Sequence, residues 1–369
     1  MTKKRRRIYC TVTNDLSYDQ RMIRICTSLS QAGYEVCLVG RNRKNSIPLR
    51  QEAFKQKRLN CWFAKGKCFY LEYNIRLFFF LLLRRFDAVC SVDLDSILAG
   101  AYATWFRRRV CIYDAHEYFT EVAEVVRRPR VQKIWAWVAR HTIPKLKHCY
   151  TVCESIARIF EKKYGVPFQV IRNVPFQQIQ PELLALQTPL VLLYQGALNE
   201  GRGLEEMIEA MSQLEQSELW LVGEGDLSEE LRQLTKEKGL ENKVHFLGYV
   251  QPHELKAITL KADIGLNLLQ NKALNSYYSL ANKFFDYIQA LKPSINMDFP
   301  EYRRIIKEYK VGLLLKNLEA SALVGAIQSL QGNRRLLEEL RQNCIRARTV
   351  FIWEKEERKL LNFYSNILA

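Results

Sequence analysis

Four short segments in the second half of the sequence carry residue types suited to holding a phosphorylated ligand. In "SLANKFFDYIQALKPSI" a helical pattern opens on Asn282 and Lys283 and carries Asp286 one turn later. A helix N-terminus favours anions, so a lysine there points to an anion that is not part of the chain. A phosphate beside Lys283 and the first backbone N–H groups, with ribose hydroxyls donating to Asp286, accounts for both residues; a Lys283 that simply points to solvent is the plain alternative. In "YQGALNEGRGLEEMIEAM" strand residues run into Gly196, and Arg202 and Gly203 lead into a helix. Glycine lets backbone approach a ligand closely, and arginine can grip a phosphate with two N–H groups, against the plain reading of a solvated residue in a connection. "LWLVGEGDL" places Glu224 and Gly225 past another strand end, although a lone GxG also marks an ordinary tight turn. "KVHFLGYVQPHEL" ends its strand at Gly248 and Tyr249, whose ring can meet a nucleobase, while His245 alternates with apolar residues as a structural histidine does.

The first half holds two further candidates. In "CIYDAHEYFTE" a strand is expected to end at Tyr113, leaving Asp114, His116 and Glu117 at its mouth. A histidine flanked by carboxylates can orient sugar hydroxyls or handle protons. No second His–carboxylate cluster accompanies it, so a metal site is not expected. "TNDLSYDQRMIR" also follows a strand and precedes a helix, so Asn14, Asp15, Tyr18, Asp19 and Arg21 could face the same cleft.

Such residues need strand ends to hold them, and the hydropathy pattern supplies these twice. Ile8–Val12, Glu35–Val39, Ala88–Ser91, Val110–Tyr113, His148–Val152 and Gln169–Ile171 read as strands separated by helical stretches. The pattern lapses between Gln177 and Pro189. It restarts with Leu190–Gln195, Glu218–Val222, Val244–Leu247, Asp263–Leu268 and Ser294–Met297. Strands alternating with helices predict doubly wound parallel sheets, and two series predict two α/β domains with a ligand cleft between them. The expected division is a first domain over 1–176, a linker over 177–189, a second domain over 190–346 and a closing amphipathic helix over 347–369, with Trp353, Leu360, Leu361 and Tyr364 on its apolar side.

The 369 residues are 48% hydrophobic, enough for two cores, yet no apolar run reaches the roughly 20 residues that span a bilayer. The longest, Leu77 to Leu83, is flanked by arginines and reads as a helix that is buried in preference to surface-lying. The basic N-terminus runs straight into a strand pattern rather than a signal peptide, so a cytoplasmic protein is expected. Ten scattered cysteines without a CxxC fit free buried thiols; Cys149 and Cys153 beside His148 make a weak case for metal. Charge is unevenly divided. Residues 1–187 hold 33 Lys and Arg against 15 Asp and Glu, whereas residues 188–369 hold 23 against 24. The basic half is expected to seek a polyanion, and the choice lies between nucleic acid and an anionic membrane face. Its aromatic residues do not interleave with Lys and Arg as base-stacking surfaces do, which argues against nucleic acid.

Taken in order, "NDLSYDQR", "YDAHE", "VIRNVP", "YQGALNEGRG", "LVGEGD", "VHFLGYV", "ADIGLNLL" and "SLANKFFDYIQALKPSI" resemble the family 4 glycosyltransferases over nearly the whole chain. The resemblance implies the two-domain GT-B fold, with the C-terminal helix ("FIWEKEERKLLNFY") crossing back to the first domain. It also implies retaining transfer of a sugar from a nucleotide diphosphate donor, with no cofactor and no catalytic metal. Arg202 and Lys283 would then stabilise the diphosphate, Asp286 would match the acid that holds the ribose, and His116 would face the transferred sugar, with Glu117 beside it. Gly196, Gly203, Glu224, Gly225, Gly248, Tyr249, Tyr278 and Asn282 would complete the donor site, and Asn14, Asp15, Tyr18, Arg21 and Asp114 the acceptor side. The sequence departs from the family at Tyr278, where a glutamate is usual, at Asp286, a shortened acid, and at Ala197, Ala281 and Leu291. Either Arg202 and Lys283 suffice, or donor binding is weakened or altered. The function expected is sugar transfer to a lipid-linked glycan in capsule, lipopolysaccharide or exopolysaccharide synthesis, on the inner face of the cell membrane. The alternatives are a nucleotide-sugar epimerase or hydrolase of the same fold, or an inactive basic binding protein.

Overall fold

The computed structural model describes residues 5–368, the side chains of residues 252 and 253 apart. The chain divides into two compact units: Met1–Asn173 together with Glu356–Ala369, and Val174–Lys355. The stretch 177–189 is almost devoid of regular structure and lies within the second unit.

The first unit is built on a seven-stranded sheet of β1 (Arg7–Thr11), β2 (Glu35–Arg41), β3 (Lys55–Leu59), β4 (Ala88–Val92), β5 (Val110–Ala115), β6 (His148–Thr151) and β7 (Phe168–Val170), in the order β3-β2-β1-β4-β5-β6-β7. Every pairing is parallel. Parallel neighbours need crossover connections, which is why each apolar strand alternates with a helix. Strand β3 was not expected, because "KQKRL" has no apolar alternation; it forms an edge, where charged side chains stay in water. Helix α1 (Gln20–Gln31) follows β1, with Asp19 accepting from the Met22 N–H as its N-cap. Helices α2 (Gly66–Leu82) and α3 (Asp93–Arg107) pack against the sheet, joining Phe69, Tyr73, Leu77 and Leu81 to Val39, Val89, Ala99 and Ala103 in one core. The Leu77–Leu83 run is therefore only half buried: Leu77 and Leu81 are enclosed, whereas Phe79 and Leu83 are exposed.

The second unit carries a six-stranded sheet of β8 (Leu190–Gln195), β9 (Ser217–Val222), β10 (Val244–Gly248), β11 (Ile264–Asn267), β12 (Ser294–Met297) and β13 (Gly312–Leu315), in the order β10-β9-β8-β11-β12-β13, again wholly parallel. Both sheets are doubly wound, as the sequence predicts, and their order reverses between β1 and β4 and between β8 and β11. Ligands of such sheets bind at the C-terminal ends of the strands flanking that reversal. The tail is not the single helix expected from residue 347. One helix, Arg334–Arg348, ends first; Phe351 and Ile352 are buried in the break, and a second helix runs over Trp353–Leu368. Its later part belongs to the first unit, where Phe363 meets Tyr150 edge-on at 5.3 Å and Glu356 accepts from the Arg172 N–H at 2.9 Å. Among the described residues no helix is long and apolar enough to cross a membrane.

Candidate active site

Each unit carries a polar cluster at its reversal point. In the second unit, β8 ends at Gln195 and the chain turns at Gly196, whose φ of +139° only glycine adopts readily. Gly196 N–H donates to Val222 O and Gly223 N–H to Gly248 O, which extends the ladder to the rim of the site. A Cβ on Gly223 would stand 2.0 Å from Gly196 O, and one on Gly225 2.5 Å from Leu198 O, so these turns pack backbone on backbone. Gly203, with φ +69°, caps the helix Leu204–Met211 and leaves Arg202 immediately before it.

Helix Asn282–Gln289 brings Lys283 to the same place. Its Nζ lies over the Tyr194 ring and would be 3.3 Å from a Cβ on Gly196. Burial, and then the charge of Arg202, push the Lys283 ammonium well below its ordinary pKa, with Asp286 opposing. Among the described residues neither Lys283 nor Arg202 forms an ion pair with a carboxylate. Two cations that repel each other at a glycine-lined turn make a site for an anion, because a bound diphosphate removes the repulsion.

Asp286, one turn further in, accepts from Gln195 Nε2 at 3.2 Å, and Gln195 Oε1 accepts from Thr259 Oγ1 at 2.9 Å. Gln195 is buried and fixes the Asp286 carboxylate. The sequence reading passed over Gln195, although it stands in the quoted "YQG" turn. Glu224 accepts from Arg232 at 2.9 Å and is held below its ordinary pKa by Ser228 and Arg232. Tyr249 is 60% exposed beyond Gly248, its ring open to a planar ligand. Tyr278 closes the short helix Leu274–Tyr278 and stacks edge-on against Tyr277 at 4.9 Å. Asn282, at the first helical position, is exposed.

In the first unit the sequence expectation needs correction in detail. Strand β5 continues to Ala115, so Asp114 is fully buried inside the sheet rather than at its mouth. It joins Arg21 to His116: its Oδ1 lies 3.1 Å from Arg21 Nη2 and its Oδ2 2.9 Å from His116 Nε2. Arg21 is also buried, and its Nη1 donates to Ile171 O at 3.0 Å. These two residues therefore position His116 instead of touching an acceptor. Asn14 and Asp15 are likewise engaged in their own loop, accepting from the N–H groups of Leu16 and Ser17, while Tyr18 is exposed. Burial opposes charge on His116, but Asp114 and then Asp93 outweigh it and raise its pKa to about 9. Asp114 is held below its ordinary pKa; burial opposes this, and Arg21 and His116 prevail. Glu117 is partly exposed beside His116.

Three residues that the sequence reading missed complete this cluster. The His116 N–H donates to Asp93 Oδ1 at 2.9 Å, and Thr13 Oγ1 donates to Asp95 Oδ2 at 2.5 Å. Asp93 holds a left-handed backbone, φ +52°, where β4 turns into α3. Burial raises the pKa of Asp93 well above the carboxylate range and that of Asp95 to about 6. The available signal was "SVDLDS": two acids immediately past a buried strand that neighbours β1. Among the described residues no group of three or more His, Cys, Asp and Glu is placed to hold a metal ion. The cysteines among them are all free.

Residues 20–175 match the family model described as Glycosyltransferase Family 4, and residues 175–349 that described as Glycosyl transferases group 1. The putative glycosyltransferase EpsD of Bacillus subtilis is 22% identical over 88% of this chain and 85% of its own. The lipopolysaccharide core biosynthesis glycosyltransferase LpsD of Rhizobium meliloti is 34% identical over 101 residues, 26% of this chain and 29% of its own length. Among solved structures, Anabaena HepE in complex with UDP superposes with a TM-score of 0.75 at 12% identity, over 98% of this chain and all of that one. Two parallel α/β units, polar clusters at both reversal points and two adjoining family models that together span residues 20–349 lead to one assignment: the chain is a glycosyltransferase of GT-B fold, made of a family 4 domain followed by a group 1 domain.

Proposed function

We propose that the protein is a retaining glycosyltransferase that takes a sugar from a nucleoside diphosphate sugar, without a metal, and adds it to a lipid-linked glycan. The observation that carries this reading is Lys283 packed against the Gly196 turn, within reach of the Arg202 charge and with Asp286 one turn further in. When the C1–O bond to the diphosphate breaks, negative charge collects on the leaving phosphate oxygens. Two fixed cations there are worth more in the transition state than in the ground state, as preorganised electrostatic stabilisation requires. Asp286, steadied by Gln195, is suited to ribose, and Tyr249 to the base. His116 is charged at neutral pH through Asp114, so it serves better as a fixed hydrogen-bond donor that orients a sugar than as a base.

UDP bound in HepE supports a uridine donor, and the name of LpsD supports lipopolysaccharide as the class of product. The excess positive charge of residues 1–187 supports work at an anionic membrane face, inside the cell. The test is a panel of UDP-, GDP- and ADP-sugars incubated with lipid-linked glycan acceptors, with the anomeric configuration of the product read by NMR. Transfer with retained configuration in the presence of a chelator is expected. Donor consumption at the same rate without acceptor would make the enzyme a hydrolase instead, and an inverted product would remove the retaining assignment.

A further inference from the structure

Helix α2 has apolar residues on two opposed faces. One face, Phe69, Tyr73, Leu77 and Leu81, is enclosed in the core of the first unit. The other, offset by two residues and hence by about half a turn, presents Leu71, Ile75, Phe79 and Leu83, all exposed and spaced one turn apart. A helix that is apolar all round is normally buried all round, so this outer stripe lacks the cover its composition calls for.

The stripe continues on neighbouring elements. Trp62 and Phe63, at 87% and 50% exposure, precede α2 in a turn fastened to it: Glu72 accepts from both their N–H groups, and the Arg76 guanidinium lies 4.5 Å from the Trp62 ring centre. Tyr102 and Phe106 stand exposed on α3, which packs beside α2, and Arg107 Nη1 donates to Leu82 O where the two helices end. Arg84, Arg85, Arg107 and Arg108 surround that end and are exposed. The lone acid of α2, Glu72, is committed to the Trp62 turn and to Arg76.

An apolar ridge with outward aromatic rings and a crown of arginines matches the layered chemistry of a lipid surface: acyl chains within, aromatic side chains at the headgroup level, and anionic phosphates outside. We propose that the outer face of α2, extended by the Trp62–Phe63 turn and by Phe106, inserts into the headgroup–acyl boundary of an anionic membrane. This rests on the membrane location in the reading above, and deepens it from attraction of charge to insertion of a defined face. The charge of the crown selects an anionic lipid leaflet over a neutral protein partner.

The test uses the full-length protein and vesicles of phosphatidylglycerol with phosphatidylethanolamine, beside vesicles of phosphatidylcholine alone. The variants are Ile75→Ser, Phe79→Ser, Leu83→Ser combined, and Arg84→Gln, Arg85→Gln combined; all five side chains are exposed, so folding is checked by an unchanged nucleotide-induced melting shift. Cys68, exposed at the start of α2, takes an environment-sensitive fluorophore, with Cys68→Ser as the labelling control. Expected are salt-sensitive binding to anionic vesicles, a blue shift of the label on binding, a loss of at least tenfold in vesicle affinity for the serine variant, and a steeper salt sensitivity in that variant. A serine variant that binds like the wild type overturns insertion while leaving electrostatic attachment standing. Absence of binding to either vesicle overturns both. A wild-type dimer in solution that the serine variant abolishes, with no vesicle binding, assigns the face to a second copy and also overturns the proposal.

Discussion

The Lys283 ammonium lies 3.6 Å from the centre of the Tyr194 ring, so the aromatic face holds a cation that no chain carboxylate pairs with among the described residues. A ring quadrupole keeps the side chain in place at little cost until a stronger anion arrives. On the proposed reading this arrangement is preorganised for a diphosphate, and its consequences can be measured.

Lys283→Ala should weaken nucleoside diphosphate binding by about 1.5–3 kcal/mol, the worth of hydrogen bonds to a charged group, or roughly 10- to 150-fold in Kd. In a melting assay with UDP at 100 times its wild-type Kd, the wild type gains about 2.7 kcal/mol of stability and the variant should lose about half of it or more. A variant stabilised as strongly as the wild type would remove Lys283 from the donor site.

Gly196→Ala should be destabilising by about 1–3 kcal/mol, because φ +139° is strained for any residue with a Cβ. That Cβ would also press on Lys283 Nζ. Donor affinity should therefore fall together with stability, as calorimetry with UDP and urea unfolding can show; loss of stability alone would separate the turn from the ligand.

Arg21→Met removes the countercharge of an enclosed Asp114 and should destabilise the protein by about 3–5 kcal/mol, the usual consequence of breaking a buried pair from one side. Urea unfolding of the variant measures it. A change below 1 kcal/mol would mean that Asp114 takes up a proton or that water reaches it.

His116 should remain an imidazolium until about pH 9, and Asp114→Asn should lower that value; a histidine-selective NMR titration reads both. The sign for stability follows. A pKa raised in the folded state contributes stability fully below the unfolded value near 6.5, and this is lost as pH rises through about 9. Asp114, lowered in the folded state, contributes above its unfolded value near 3.8, and this is lost as pH falls through its folded value. Activity that depends on the charged His116 should decline above pH 9, and an unshifted His116 in Asp114→Asn would sever the link between the two.

Much of the second-unit cluster, the proposed donor site, was legible because its parts are local. Gly196, Arg202 and Gly203 lie between strand β8 and the helix Leu204–Met211, and Lys283 lies in the first turn of its own helix, so glycine, a cation and a helix N-terminus leave a signature within a few residues. The first-unit cluster was less legible because its logic is long-range. Asp114 and Arg21 look like polar residues at a strand mouth, and only their separation of 93 positions, closed to 3.1 Å by the sheet, turns them into supports for His116. Asp93 and Asp95 carry no local motif; they matter because β4 lies between β1 and β5.

The amino-acid order by itself determined the two parallel α/β units, since alternating apolar strands and amphipathic helices have few other ways to bury their apolar faces. It also determined the uneven charge and the turns that pair glycine with a cation. Tertiary structure alone decided which apolar face of α2 is covered, that the closing helix breaks before Trp353, and that a charged strand, β3, forms the sheet edge. Each of these depends on which neighbour arrives to exclude water, and that is a property of contacts between segments far apart in the chain.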